Sequence, residues 1–498
     1  MRTYENPIIP GFYPDPSICR VGEDFYLVTS SFEFFPGVPL WHSRDLVNWQ
    51  QIGHILTRDS QLPLQNCRIS GGIYAPTLRY HDGKFYMITT NVCHGGNFLV
   101  TAEDILGPWS EPVWIDHDGI DPSLFWDDDG KVYYTGTCIM GSDPQGIGQF
   151  QVDPATGEKL SETKIIWYGT GGRCPEAPHM YKKDGWYYLM IAEGGTEYGH
   201  MVTMARSRNV WGPFESCPHN PILSHRDYIC SPFQAVGHAD ITEDADGNWW
   251  MVVHAIRPTN AQLHHIGRET MLTPMVWNEE GWPVINGGKS LTASMTGPGD
   301  GIQSRRKQWR DSFEGEAFAP RWAWLRNPDR SCCQLTDRGL ILKGRETTLD
   351  DIDTCTFLGV RQQALDVRYE ARLRLLAEGG AAGITIFHTA EHHYDLCVHK
   401  QEGGLAVWLR RRVADILVES QPVFLKNTDR AVLQIRADKN LYTFLAGTPS
   451  GELVTVGTGR TQLLSTEAMP CTFTGCFAGM FAEGNSEAEF RYFSTEEV

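Results

Sequence analysis

Gly11-Phe12-Tyr13-Pro14-Asp15-Pro16-Ser17 sets a carboxylate between two prolines, just ahead of a strand-like run, Asp24-Phe25-Tyr26-Leu27-Val28-Thr29-Ser30. Proline fixes its own φ and biases the residue before it toward extended geometry. The spacing therefore predicts Asp15 in stiff, extended backbone at a strand entrance, where a reactive side chain can be aimed. Taken alone, the stretch reads as a turn with a helpful aspartate. Its recurrence along the chain changes that reading.

Ala75-Pro76-Thr77-Leu78 leads to Asp82-Gly83 and then Lys84-Phe85-Tyr86-Met87-Ile88. Asp121-Pro122-Ser123-Leu124 leads to Asp129-Gly130 and Lys131-Val132-Tyr133-Tyr134. Glu176-Ala177-Pro178-His179 leads to Asp184-Gly185 and Trp186-Tyr187-Tyr188, and His238-Ala239-Asp240-Ile241 leads to Asp246-Gly247 and Asn248-Trp249-Trp250. With the opening stretch, where Gly22-Glu23 stands in for Asp-Gly, the unit of short strand, tight turn and aromatic-rich strand occurs five times. An Asp-Gly pair between alternating apolar runs is a strong hairpin signal. The copies return every roughly 45–65 residues, the order of one four-stranded propeller blade. Five such units on a closed ring predict an all-β chain opening with a five-bladed β-propeller. The irregular spacing leaves a two-sheet sandwich as the alternative.

A ring puts the first strand of each blade nearest the axis, so the heads of those strands converge. The heads are Asp15, Ala75, Asp121, Glu176 and His238. Three carboxylates and a histidine in one pocket are costly, because like charges repel and burial penalises the ionised form. Clusters of that kind are kept mainly where shifted pKa values are used.

The chain has 498 residues, 41% hydrophobic and 21% charged, ordinary for globular protein and long enough for two domains. Forty-three Lys and Arg against 61 Asp and Glu give −18, which disfavours nucleic acid or an anionic membrane as partner. Sixteen Trp and 11% aromatics suit a carbohydrate ligand, though blade packing accounts for most of the rings. Thirteen cysteines lie scattered with no CxxC or other metal-ligand spacing. Met1-Arg2-Thr3-Tyr4-Glu5-Asn6-Pro7 lacks an apolar signal region, and no apolar stretch reaches the roughly 18–20 residues of a membrane span. These features predict reduced thiols in a cytoplasmic protein.

Several segments together are more specific. Pro14-Asp15-Pro16-Ser17, Ser30-Ser31-Phe32-Glu33-Phe34-Phe35-Pro36-Gly37, Gly71-Gly72-Ile73-Tyr74-Ala75-Pro76, Ile120-Asp121-Pro122-Ser123, Pro175-Glu176-Ala177-Pro178-His179 and Gly267-Arg268-Glu269-Thr270 occur in that order. In this the chain resembles glycoside hydrolase family 43, in the branch of β-xylosidases and α-L-arabinofuranosidases. The resemblance implies an inverting hydrolase with Asp15 as general base, Glu176 as general acid, and Asp121 orienting that acid and holding up its pKa. Inversion needs one protonated and one ionised carboxyl about 6.5–9.5 Å apart, with water between. Two separated blades supply such a gap, and a third carboxylate raises the acid by repulsion.

The resemblance also implies that Arg268 contacts the sugar and the acidic cluster, and that Phe32 and Tyr74 wall the innermost sugar site. Many relatives carry tryptophan where this chain has Tyr74. His238 would touch the sugar or line the axial channel, where some relatives hold calcium; no cofactor is required. Members are often dimers or tetramers, so a homo-oligomer is open to this chain, although no stretch specifies one.

Other chemistries fail on inspection. Asn286-Gly287-Gly288-Lys289-Ser290 ends like a phosphate loop, but Pro283 stands where its first glycine belongs, and neither a Gly-x-Ser-x-Gly nor an HExxH motif occurs. His264-His265 and His392-His393 lack zinc-site spacing.

The propeller is expected to span 1–300, ending in a Gly- and Pro-containing linker near 297–303, with a second domain over 301–498. That domain opens at Trp309-Arg310-Asp311-Ser312-Phe313 and continues in strict alternation, Val367, Tyr369, Ala371, Leu373 and Leu375 facing one way and the charged residues between them the other. Such alternation over many strands predicts a β-sandwich. Trp324-Leu325-Arg326-Asn327-Pro328 and Thr472-Phe473-Thr474-Gly475-Cys476-Phe477 resemble the family's concanavalin-like, jelly-roll C-terminal domain, which sends an aromatic over the catalytic mouth. Phe473 and Phe477 are both candidates, a core phenylalanine being the plain alternative for either. The expected activity is exo-acting release of xylose from xylo-oligosaccharides, with arabinofuranosidase action on arabinoxylan fragments as runner-up and a catalytically silent sugar-binding propeller as the alternative of another class.

Overall fold

The computed structural model describes residues 2–139, 145–259, 262–298, 307–469 and 472–498. The expected junction at 300 and 301, with most of its linker, lies outside these residues. Four-stranded antiparallel sheets follow one another along the first part of the chain. Their inner strands are Ser17–Val21, Thr77–His81, Ser123–Trp126, Glu176–Lys183 and Gln234–Glu243. Each touches the next in order and the last touches the first, so the ring closes. In the fourth blade two short strands, Glu215–Ser216 and Leu223–Ser224, share the outer position. Arg2–Glu5 pairs with Ser294–Gly297, and the Asn6 amide exchanges bonds with the Leu272 backbone at 2.9 Å, so the N-terminal segment fastens the last blade.

The Asp-Gly turns take two forms. At Asp82-Gly83 and Asp184-Gly185 both residues have positive φ (47° and 80°, 51° and 72°), the two-residue type I′ hairpin. At Asp129-Gly130 and Asp246-Gly247 the glycine alone is left-handed, and the longer loop is closed by backbone bonds from Asp127 to Lys131 and from Asp244 to Asn248.

The strand heads depart from expectation. Asp15 has φ 57° and Asp121 φ 56°, left-handed rather than extended, although each precedes a proline; His238 has φ 52°. Local preference is overridden by bonds on either side of the turn, Tyr13 N to Arg268 O at 3.1 Å and Ser30 N to Pro14 O at 3.2 Å. Non-glycine residues held there cost about 1–3 kcal/mol each and cluster where function needs them.

Two facing sheets of eight and seven strands form the second domain. Val367–Leu375 alternates strictly between buried and half-buried positions. Its inward side packs with Ile384, Ile386, Leu396, Leu433 and Phe490 into one core. The outer face of the seven-stranded sheet lies on the propeller: Phe34 stacks on Phe477 with centroids 4.0 Å apart, and Phe12, Phe32, Phe357 and Phe481 fill the same cluster. Trp324–Leu325 adds a backbone ladder to Phe34–Phe35. Among the described residues no helix is long and apolar enough to cross a membrane.

One expectation about the thiols is corrected. Cys67 and Cys93 form a disulfide, with Cα atoms 5.6 Å apart across 26 residues of chain. The two cysteines sit on separate loops that only the folded second blade brings together, so no local spacing announces them. Ten other described cysteines are free.

Candidate active site

The converging strand heads enclose a pocket of about 90 Å³ on the propeller axis. Asp15, Ala75, Asp121, Glu176 and His238 all line it, one from each blade, as ring closure requires. Phe32, Tyr74, Arg268 and Phe473 complete the wall. A space this small holds one sugar ring rather than a length of chain.

Below the pocket the axis is filled by a buried polar knot. Arg79 Nη1 donates to Asp240 Oδ2 at 2.8 Å, as does Ser17 Oγ, and Tyr181 donates to Oδ1 at 2.6 Å. Arg79 Nη2 lies 2.9 Å from His179 Nδ1. These groups come from four different blades, so the knot ties the ring together and leaves the site open at one end.

The carboxyls are not equivalent. Burial alone would raise Asp15, but Arg268, His238 and His254 outweigh it and hold the acid well below the usual carboxylate range. Arg268 Nη1 donates to Asp15 Oδ1 at 2.7 Å, and Ser30 Oγ donates to Oδ2. His254 Nδ1 lies 3.1 Å from both Oδ1 and the backbone N of Asp15. Glu176 is pushed up to about 7, first by burial and then by the charge of Asp15. Asp121 is raised as well, by burial, then Glu176, then Asp15, while the backbone of Ala177, next to Glu176, favours its charge. The pocket thus holds one ionised carboxylate facing a carboxyl that keeps its proton near neutrality.

The structure distinguishes the two phenylalanines. Phe473 is half-buried at the pocket, stacked on Phe32 at 6.2 Å and edge-on to Tyr74 at 6.2 Å. Its backbone N–H donates to Ser70 Oγ at 3.0 Å and its carbonyl accepts from Arg268 Nη2 at 3.3 Å. Two residues on, a Cβ on Gly475 would come within 2.0 Å of Ile266 O, so only glycine lets this segment lie against the propeller. Phe477 is fully buried in the seam core.

Sequence reasoning passed over His254, Ser30, Thr196 and His200. Thr196 Oγ1 accepts from Arg268 Nη1 at 3.2 Å, and His200 Nδ1 lies 3.2 Å from His254 Nε2. The one visible signal was His254 itself, a polar residue inside the apolar run Met251-Val252-Val253-His254-Ala255.

Asp15, His238 and His254 are the group among the described residues whose donor atoms lie within 4.8 Å of one another. They do not fit the calcium some relatives hold. Calcium takes six to eight oxygen ligands, whereas two of these three donors are imidazole nitrogens. Asp15 Oδ1 already carries the Arg268 guanidinium, which would repel a second cation.

Comparison with known proteins assigns both parts of the chain to families. The family model described as glycosyl hydrolases family 43 matches residues 4–283, and that of the β-xylosidase C-terminal concanavalin A-like domain matches residues 310–496. A non-reducing-end α-L-arabinofuranosidase of Bacteroides ovatus is 41% identical over 98% of this chain and 92% of its own length. A xylosidase/arabinosidase of Butyrivibrio fibrisolvens is 38% identical, with 99% of each chain covered. The solved xylan β-1,4-xylosidase of Bacillus halodurans superposes with a TM-score of 0.93 at 34% identity, covering 99% of this chain and 100% of that one.

Proposed function

The chain belongs to glycosyl hydrolase family 43, and from that premise we propose that it is an exo-acting, inverting pentosidase that releases xylose from the non-reducing end of β-1,4-xylo-oligosaccharides. The observation that carries this reading is a one-ring pocket in which an ionised Asp15 faces a protonated Glu176. Asp15 takes a proton from water as that water attacks the anomeric carbon, and Glu176 gives its proton to the departing glycosidic oxygen. Both transfers occur in one displacement, so no covalent sugar–enzyme bond forms. Arg268 keeps Asp15 ionised between turnovers, and Asp121 orients the acid through the segment at Ala177. No cofactor takes part. Phe473 closes the mouth so that a chain enters only by its end.

α-L-Arabinofuranosidase activity on arabinoxylan fragments is the second reading, favoured by the name of the Bacteroides ovatus relative. Release of nitrophenol from the β-xyloside and the α-L-arabinofuranoside, side by side, separates the two; sugar binding with no turnover of either defeats both. NMR of the first product from a β-xyloside shows α-xylose if the displacement is single, and β-xylose refutes inversion.

A cytoplasmic location is part of the proposal, supported by the ten free cysteines. The Cys67–Cys93 bridge counts against it. Thiol labelling after acid quenching of the producing cells decides: a bridge found oxidised places the protein outside the reducing compartment.

A further inference from the structure

The Cys67–Cys93 bridge adjoins the loop that walls the catalytic pocket, although neither cysteine lines the pocket itself. Cys93 sits in the turn after the strand Lys84–Asn91, where its N–H donates to Asn91 Oδ1 at 3.1 Å. Cys67 is fully buried at the start of the loop leading to Tyr74. Its N–H bonds to Leu64 O at 3.1 Å, and its carbonyl accepts from Arg326 Nε at 2.8 Å. The bridge therefore ties this loop to the frame of the second blade.

The loop passes close over the sulfurs. A Cβ on Gly71 would come within 2.4 Å of Cys93 Sγ and 2.8 Å of Cys67 Sγ, and the Gly72 N–H points at Cys93 Sγ from 3.3 Å. Ser70, just before, is fully buried at φ 52°, a left-handed backbone that a residue with a side chain keeps only under constraint. Its N–H donates to Glu33 Oε1 at 3.1 Å, and its hydroxyl oxygen accepts the Phe473 N–H at 3.0 Å. Beyond the glycines the chain rejoins the sheet. Ile73 exchanges two bonds with Phe32, and Tyr74 N–H donates to Thr90 O at 3.0 Å. Tyr74 is thus fixed by backbone ladders, whereas Ser70 is fixed by one side chain and by the covalent tie beside it.

We propose that the Cys67–Cys93 bridge positions the mouth of the pocket: it holds Ser70, Ser70 docks Phe473, and the hold on the sugar therefore responds to thiol reductants. A dithiol breaks the S–S bond by passing two electrons and two protons to the sulfurs, and leaves as its own cyclic disulfide. Cys93, half-buried in its turn, is the more exposed of the two cysteines. The three carboxyls stand on other blades, so the chemical step keeps its groups while the grip on the substrate slackens.

The assay substrate rests on the pentosidase reading, so the test pairs kinetics with hydrogen exchange, which needs no turnover. Dithiothreitol treatment of the full chain is expected to raise exchange at the Ser70 and Phe473 amides about tenfold or more and to leave the Tyr74 amide protected. The double substitution Cys67→Ala with Cys93→Ala is expected to do the same, and reduction of the unaltered chain serves alone if that variant does not fold. KM for the nitrophenyl β-xyloside is expected to rise ~3- to 10-fold with kcat within about twofold. Reoxidation restores it, and dithiothreitol does not move the doubly substituted chain. In a Phe473→Ala background, loss of the bridge raises KM no further, because both changes act through one ring. Unchanged exchange at Ser70 and Phe473, a loss confined to kcat, or additive effects on KM would each overturn the proposal. Exchange that responds in a chain turning over no glycoside would support the docking and count against the pentosidase reading.

Discussion

Asp15 and Glu176 are both buried carboxyls, yet their surroundings push them in opposite directions. Arg268 is the leading group holding Asp15 down, whereas burial and then the charge of Asp15 raise Glu176. The active form needs Asp15 ionised and Glu176 protonated, so kcat/KM rises as pH climbs through the first pKa and falls as it passes the second, near 7. Arg268→Met removes a positive charge that favours ionisation of both acids. Both limbs of the pH–rate profile are therefore expected to move to higher pH, the acidic limb more; limbs that stay in place would remove Arg268 from this role. Glu176→Ala is expected to cost ~100- to 10,000-fold on substrates with poor leaving groups and far less on activated nitrophenyl glycosides. Equal losses on both would show that Glu176 is not the acid. The three carboxyls were legible because each stands at the head of a recurring unit. His254 showed only as a polar residue in an apolar run, and its role was hidden because that role lies in a 3.1 Å contact with a residue 239 positions away.

At the scale of elements, the inner strands do more than build a sheet. Their heads turn through left-handed backbone, which aims Asp15 and Asp121 into the pocket. The sequence pattern misled on this point, because proline's influence on its neighbour is local and the bonds that override it span the ring. Alternation in Val367–Leu375 and the Asp-Gly hairpins were readable, being set by neighbours two residues apart. The choice between Phe473 and Phe477 was not, since both sit in one short aromatic segment and only the docking of Gly475 on Ile266 tells them apart. Phe473→Ala is expected to raise KM about tenfold, equivalent to ~1.4 kcal/mol of lost contact, with stability little changed. Phe477→Ala is expected to cost about 3–5 kcal/mol of stability instead. Steady-state kinetics and urea unfolding check the pair, and the reverse pattern would exchange their assignments.

For the molecule as a whole, five repeats pointed to a ring with a two-sheet sandwich as the alternative, and a change in patterning announced the second domain. The Cys67–Cys93 bridge was invisible, because it joins segments that meet only after folding. The knot at Asp240 joins four blades through Arg79, Ser17 and Tyr181. Asp240→Ala leaves the mostly buried guanidinium of Arg79 without its counter-charge, and a loss of about 3–5 kcal/mol is expected in urea unfolding. A loss below ~1 kcal/mol would mean that water or relaxation replaces the pair.

The fastening of the two ends has a bearing on how the protein is made. Asp15 leaves the ribosome 253 residues ahead of Arg268, which keeps it ionised, and Phe473 follows another 205 residues later. At roughly 5–20 residues per second the nascent base waits about 13–50 s for its guanidinium. A chain released before Arg268 is accordingly expected to lack the charge that keeps its base ionised, and one released before Phe473 to lack the ring over its pocket.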